Sequence, residues 1–299
     1  MALTINTNVS SLIAQKNLAD ATSALNQAIE RMTTGYKINH AKDNAAGYAI
    51  ANNWRAQLSS LDVAADNAAT GLDLLTTTEE TYELIVDHVQ RIRDLTEQAA
   101  NGTYGADSLK AIKAEISARL DEVTRIVGNA KFNGIALMTG GGDISLQVGI
   151  YNDDNSKIIL SSDIFATATL TALFKTVGGF TAAATDITTA EIATACSGLK
   201  DDGTINKATC APSLNNLDKV LANITDRVTK IGAFQNRLES AMESINVQSE
   251  NITSSLSTLI DTDVAEESSN YIQAQILQQA AATLLSTANQ TPSIALNLL

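Results

Sequence analysis

What this 299-residue protein has little of narrows its identity before any motif is considered. Proline occurs twice, at Pro212 and Pro292, so from Met1 to Ala211 nothing forces a helix to break at a missing N–H. Aromatic residues make up 4% against 44% hydrophobic residues overall, so most of the apolar content is Ala, Leu, Ile and Val. Such residues suit narrow seams between helices better than a thick globular core. Basic groups are outnumbered 33 to 20, and the net charge of −13 repels the phosphates of nucleic acid and of anionic lipid. No run of about 18 apolar residues is present to cross a bilayer. Met1 to Leu12 mixes Thr, Asn and Ser among its hydrophobic residues, so no basic region followed by an apolar one is expected to act as a cleaved leader.

Groups that carry chemistry are equally sparse. With only His40 and His88, neither a zinc-type cluster nor a Ser-His-Asp set can be assembled, and the protein is read as a non-enzyme without cofactor or metal. Gly140-Gly141-Gly142 lacks the Lys-Ser/Thr and the helix pattern of a phosphate loop. Asp201-Asp202-Gly203 lacks the closing Glu of a calcium loop and reads as a turn. Asn-x-Ser/Thr triplets at Asn8, Asn101, Asn223, Asn251 and Asn289 are expected by chance in so Asn- and Thr-rich a sequence. Cys196 and Cys210 bracket a polar stretch; they either close a loop of about 15 residues, worth about 3 kcal/mol, or remain two free thiols.

Periodicity supplies the fold class. Leu58, Leu61, Ala65, Ala68, Leu72, Leu75, Tyr82, Val86 and Val89 follow steps of three and four, a heptad seam interrupted at Glu79. Continued to the stop at Asn101-Gly102, that helix would span roughly 60 Å at about 1.5 Å per residue. A partner with the same spacing lies far downstream: Leu217, Leu221, Ile224, Val228, Ile231, Leu238, Met242, Ile245, Ile252, Leu256 and Leu259. Leu109, Ile112, Ile116, Leu120, Val123 and Val127 form a third stripe. Between them, alternating Ile144, Leu146, Val148 and Ile150, a polar turn, and Ile158, Ile159 and Leu160 read as a β-hairpin. Thr171 to Ala211 is rich in Thr, Ala and Gly without sustained period and reads as a small exposed insert. The expected fold is mainly α, an elongated coiled-coil-like helical bundle built from both chain ends, with a small β-hairpin region and a short variable insert.

Both ends differ from the middle. No charge precedes Lys16 and none follows from Ser268 to Leu299, while Gln, Asn, Ser and Thr keep both tracts from being membrane-like. Ala14, Leu18, Ala21, Leu25, Ile29 and Met32 can line one helix, and Ile272, Ile276, Leu277, Ala280, Leu284 and Leu285 another. Alone, such segments bury too little to offset about 1 to 2 kcal/mol of backbone entropy per residue, so they are expected to order against neighbouring copies.

The opening Met1-Ala2-Leu3-Thr4-Ile5-Asn6-Thr7-Asn8 resembles the N-terminus of the bacterial flagellin family. Met32-Thr33-Thr34-Gly35-Tyr36-Lys37-Ile38-Asn39-His40-Ala41-Lys42-Asp43-Asn44-Ala45-Ala46-Gly47 is similar to that family's next block. So are Gln90 to Leu95 with Asn101-Gly102-Thr103, then Lys131-Phe132-Asn133-Gly134, Ile260 to Glu267, Gln275 to Ala280 and Ala288-Asn289-Gln290, all in order. Departures fall at Leu256 and Thr258, where many members carry arginines, at Ser268 and Tyr271, and in the final residues from Thr291 to Leu299.

The resemblance implies a secreted subunit of the flagellar filament, located outside the cell, that polymerises with itself. It implies an inner core domain from residues 1–43 and 257–299. A second domain is expected from 44–170 and 212–256, with 171–211 as the variable insert. Filament packing would fall to Ile5, Val9, Leu12, Leu18, Ile276, Leu277, Leu284 and Leu285. Expected partners are a dedicated export chaperone, the flagellar type III export apparatus, and the filament cap and hook-associated proteins. Arg91, Leu95 and Glu115 match positions through which many flagellins engage host Toll-like receptor 5, and Arg91 and Leu95, four apart, would share one helix face. The alternative within the superfamily is a hook-filament junction protein.

Overall fold

The seven-residue rhythm of the sequence becomes long helices joined by short turns. The computed structural model describes residues 8–169, 172–173, 188–200 and 204–296, with no side-chain description at 207 and 291–296. Among them α1 is Val9–Thr34, α2 Ala45–Ala100 and α3 Ala106–Asn129. Two strand pairs follow: β1 (Lys131–Phe132) with β2 (Ile135–Ala136), and β3 (Ile144–Gln147) with β4 (Lys157–Leu160). Helix α4 is Thr189–Ser197, α5 Cys210–Ile260 and α6 Val264–Leu296. The fold is thus mainly α with a small β region. It divides into two compact units, one of Met1–Ser59 with Gln248–Leu299, the other of Ser60–Val247.

Helix ends are set by local chemistry. The Asn8 side chain accepts the N–H of Ser11, and α1 stops at Gly35, whose φ of 76° is the left-handed conformation that glycine adopts without a Cβ penalty. Asn44 accepts from the N–H of Gly47 at 2.9 Å and opens α2, which therefore begins well before the Leu58 seam. The expected stop holds, since α2 ends at Ala100, immediately before Asn101-Gly102.

In the larger unit the third stripe is buried in full, from Leu109 to Val127. On α5, Leu217, Ile224, Ile231, Leu238 and Ile245 are buried at strict seven-residue steps, with Leu221, Val228 and Met242 half-buried beside them. Helix α2 departs from its expected seam. Leu61, Ala68, Leu75, Tyr82 and Val89 are buried, but Leu58, Ala65, Leu72 and Val86 are half-buried, and Ala64, Leu74, Ile85 and Ile92 take their place. The reason is that α2 packs against α3, α5 and the β3–β4 hairpin in one core and so needs a face wider than a two-helix seam. Nor is the seam interrupted at Glu79. Thr78 fills it, fully buried, its hydroxyl donating to Leu74 O at 2.7 Å.

The β3–β4 hairpin forms as the alternation predicts, with Ile144 opposite Leu160 and Leu146 opposite Ile158. Its face lies so close to α2 that a Cβ at Gly71 would clash with the Leu146 side chain. The β1–β2 pair, by contrast, turns at Asn133 (φ 47°) and Gly134 (φ 82°), the two left-handed residues of a type I′ turn.

The insert is not simply an exposed segment. Its described part contains α4, opened by a reciprocal capping box between Thr188 and Glu191. Ile192, Ala193, Cys196 and Leu199 are buried in the common core, against α3. The turn read at Asp201-Asp202-Gly203 lies outside the described residues.

One buried cation crosses this core. The Arg227 guanidinium donates to Tyr82 Oη (3.2 Å), Ala166 O (2.8 Å) and Asn223 Oδ1 (3.2 Å), while the Tyr82 hydroxyl donates to Ile164 O at 2.7 Å. Burial pushes the Tyr82 hydroxyl's pKa above its ordinary value, and the guanidinium pulls it part of the way back. The network fastens α2, α5 and the 164–166 segment together with directional bonds where a hydrocarbon contact would leave the carbonyls unpaired.

Candidate functional site

The smaller unit has two end helices that face each other along alanines. Hydrogen bonds pair Asn8 with Ala288 O, Ser11 with Asn289, and Thr22 with Gln278, so α1 and α6 run antiparallel. Ala14, Ala21 and Ala28 are buried at seven-residue steps, facing Ala274 and Ala281. Methyl-sized side chains let the backbones approach closely but remove little apolar area from water, at about 0.8 kcal/mol per buried CH2.

The large aliphatic residues stay outside that seam. Val9 (58% exposed), Leu12 (56%), Ile276 (60%), Leu277 (52%) and Leu284 (61%) are open to solvent, as are Ile13, Ile29, Met32 and Ile272. Leu18 and Leu285 flank the seam, half-buried, and Ile5 lies outside the described residues. Within the single molecule the alanines make the contact between α1 and α6, and Val9, Leu12, Ile276, Leu277 and Leu284 are left on its outside. Among the described residues α1 and α6 are helical, and the alanine seam and the side-chain hydrogen bonds give each helix a partner.

Between the helices a polar joint closes the unit. Lys37 N–H donates to Ile260 O at 2.7 Å and Thr262 N–H to Gly35 O at 2.9 Å, making a one-residue antiparallel bridge between Tyr36 and Asp261. Ile38, Ala51 and Ile260 are buried beside it, with Tyr48, Leu256 and Leu259 packed around them. Leu256 thus serves as packing where the resemblance led to an arginine, and the Lys37 ammonium donates to Thr258 O at 3.1 Å. Nearby, hydrogen bonds from the His40 and Asn39 backbone N–H groups hold the Asp43 carboxyl below its ordinary pKa. Arg31 pairs loosely with Glu267, 3.9 Å apart, where the carboxylate is almost fully buried.

In the larger unit the predicted recognition residues separate. Arg91 and Glu115 stand exposed and joined, with Nε and Nη2 each 3.0 Å from one carboxylate oxygen that Arg119 approaches at 3.9 Å. Leu95 is 2% exposed and belongs to the core. Four residues along a helix turn the backbone by about 400°, some 40° past alignment, enough to carry Leu95 from the rim into the seam. Of the histidines, His40 contacts Glu30 at 2.7 Å and His88 lies 3.4 Å from Arg119.

The cysteines are neighbours without being bonded. Both are fully buried as free thiols, and Cys210 Sγ donates to Cys196 O at 3.4 Å. Burial pushes the Cys196 thiol up to about 11, opposed by its hydrogen bonding with Thr96 and Ser213. Of the two alternatives this structure carries the thiols, and α4 and the first turn of α5 are held by packing, by the thiol contact and by the Thr209 hydroxyl on Ala195 O. Among the described residues no group of three His, Cys, Asp or Glu could hold a metal ion, and no helix is long and apolar enough to cross a membrane.

Comparison with known proteins gives two matches, one toward each terminus. Residues 5–142 match the bacterial flagellin N-terminal helical region and residues 214–299 the bacterial flagellin C-terminal helical region. A flagellin of Xenorhabdus nematophila is 37% identical across the full length of both proteins. Flagellin FlaB1 of Treponema pallidum is 31% identical over 99% of each, and polar flagellin F of Vibrio parahaemolyticus 30% identical over the whole of both.

Proposed function

The chain belongs to the bacterial flagellin family, and from that premise we propose that it is the subunit of an extracellular helical filament that drives swimming. The observation that carries this reading is the row of exposed aliphatic residues on α1 and α6, outside an alanine seam. Contiguous apolar exposure on this scale marks a surface meant for a partner. Copies of the same protein fit, because helices so poor in charge suit a crowded environment of like helices. A heterologous contact that does not close on itself gives an open helical tube.

In this reading residues 1–43 and 257–299 form the filament's inner core domain, and 44–170 with 212–256 form a second domain. The subunit leaves the cell through the type III export apparatus with a chaperone on its C-terminal tract, and adds beneath a cap, beyond the hook-associated proteins. Purified subunit should extend filament seeds. Leu12→Ser with Leu284→Ser should abolish growth while far-ultraviolet circular dichroism of the monomer is unchanged; continued growth removes the proposal. Many copies per sheared filament are expected, whereas a few would identify a junction protein.

The exposed Arg91–Glu115 pair favours a second role, recognition by Toll-like receptor 5, with Leu95 acting only as support. Arg91→Ala should weaken binding of monomer to the receptor ectodomain about tenfold, the equivalent of about 1.4 kcal/mol. Unchanged affinity would remove that role.

A further inference from the structure

Two Asn-Gly dipeptides lie on the surface in opposite states. Asn133-Gly134 forms the centre of the β1–β2 turn, fixed by the pairing of Phe132 with Ile135 and of Lys131 with Ala136. Asn101-Gly102 follows the last residue of α2 in an exposed turn. There Asn101 Oδ1 accepts two hydrogen bonds from one residue, from the Thr103 N–H and from the Thr103 hydroxyl, each at 3.2 Å. The backbone bond of this turn runs from Asn101 N–H to Gln98 O, so the Gly102 N–H takes part in neither arrangement. A Cβ built on Gly102 meets nothing within 4 Å.

We propose that Asn101 is a self-modification site, at which the amide is converted to aspartate or isoaspartate by attack of the Gly102 backbone nitrogen on Asn101 Cγ. Hydroxide removes the Gly102 N–H proton, and the nitrogen forms the new bond to Cγ. The displaced electron pair settles on Oδ1, where both Thr103 donors already point, an arrangement that favours the charge developing on that oxygen. The Cγ–Nδ2 bond then breaks, and ammonia leaves with a proton from water. One water opens the resulting five-membered imide on either carbonyl. The sum is one amide and one water giving one carboxyl group and one ammonia, with no oxidation or reduction. At Asn133 the same ring closure must first break the two-residue turn and its strand pair, so that site is protected by the fold.

The product matters because of where it stands. A carboxylate at the C-terminal end of α2 faces the negative end of that helix and lies one turn from Glu97. Isoaspartate also lengthens the backbone between α2 and α3. Conversion therefore loosens the α2–α3 turn in molecules that persist long after synthesis, whether or not they are assembled.

The test is to incubate full-length protein at mildly alkaline pH in water enriched in heavy oxygen, then map peptides by fragmentation that separates aspartate from isoaspartate. Asn101 should convert with uptake of one labelled oxygen while Asn133 stays an amide, and in urea the two sites should converge. Thr103→Val should slow conversion at Asn101 by about threefold to tenfold, less than for a donor in a water-free site because this one is solvated. Gly102→Ala, which fits without a clash, should nearly abolish it. Equal rates at the two sites in the folded protein, or a rate at Asn101 unchanged by Thr103→Val, would overturn the proposal.

Discussion

The two compact units share one rhythm and differ in what they place on it. In Ser60–Val247 the seven-residue positions carry mostly Leu, Ile, Val and Tyr, and a hairpin and α4 back them to make one buried core. In the α1–α6 pair of the smaller unit the same steps carry alanine, and Val9, Leu12, Ile276, Leu277 and Leu284 point away. Heptad spacing alone therefore does not say whether a helix pair is finished. Side-chain size at the repeat does: large residues inward make a self-sufficient core, and small residues inward leave the hydrophobic driving force for the next molecule.

That contrast can be broken by substitutions, of which Ile116→Ala in the larger unit has the largest expected effect. Ile116 is fully buried, and its truncation should cost about 2 to 5 kcal/mol in urea unfolding of that unit. A loss below about 1 kcal/mol would mean that the larger unit is no better packed than the smaller.

Next in size is an alkaline effect. The Cys196 thiol titrates in the folded protein near 11 against an ordinary value of 9.0, so the folded state holds its proton longer than the unfolded one. Stability from this group is complete below pH 9 and falls as pH rises through the folded value, by about 2 to 3 kcal/mol. The measurement is urea unfolding between pH 9 and 11, and the wild-type loss should exceed that of Cys196→Ala.

Ala21→Leu sharpens the other side of the comparison. Overpacking the alanine seam should cost about 1 to 3 kcal/mol locally, seen as faster amide exchange in α1 and α6 with exchange in α3 unchanged. Smallest is Leu18→Ala, which should change monomer stability by less than about 1 kcal/mol because Leu18 is only half-buried. Filament growth should nevertheless fail, and this split between stability and assembly would not arise at Ile116.

How much of this is legible in sequence depends on how many partners a helix has. The α3 stripe can be read residue by residue because one face meets one core. For α2 a single seam is too narrow a template, and a threonine bonded to its own helix does not announce itself as a core residue at Thr78. Two local signals do exist: Thr188 with Glu191 three residues later, ahead of the buried Ile192, and Asn133-Gly134 between short apolar segments. Without the first of these, the insert reads as wholly exposed. Arg227 has no signal, since a buried cation satisfied by carbonyls and a tyrosine looks like any surface arginine in sequence. In α1 the stripe is legible, since Ala14 and Ala21 are buried with Leu18 and Leu25 half-buried beside them, whereas in α6 it is drawn through Ile276, Leu277 and Leu284 while Ala274 and Ala281 hold the seam. Leu95 reads as a surface residue only when four residues are counted as a full repeat.

The bridge between Tyr36 and Asp261 sits where α1 has just ended and α6 has not begun. The two polypeptide strands that pass this level are cross-linked by two N–H···O bonds running in opposite directions, from Lys37 to Ile260 and from Thr262 to Gly35. A pull on either strand is therefore shared by the other, and neither interruption can stretch without straining its neighbour. The two hydrogen bonds thus form a clasp, so that the two helix interruptions bear load side by side, not one after the other.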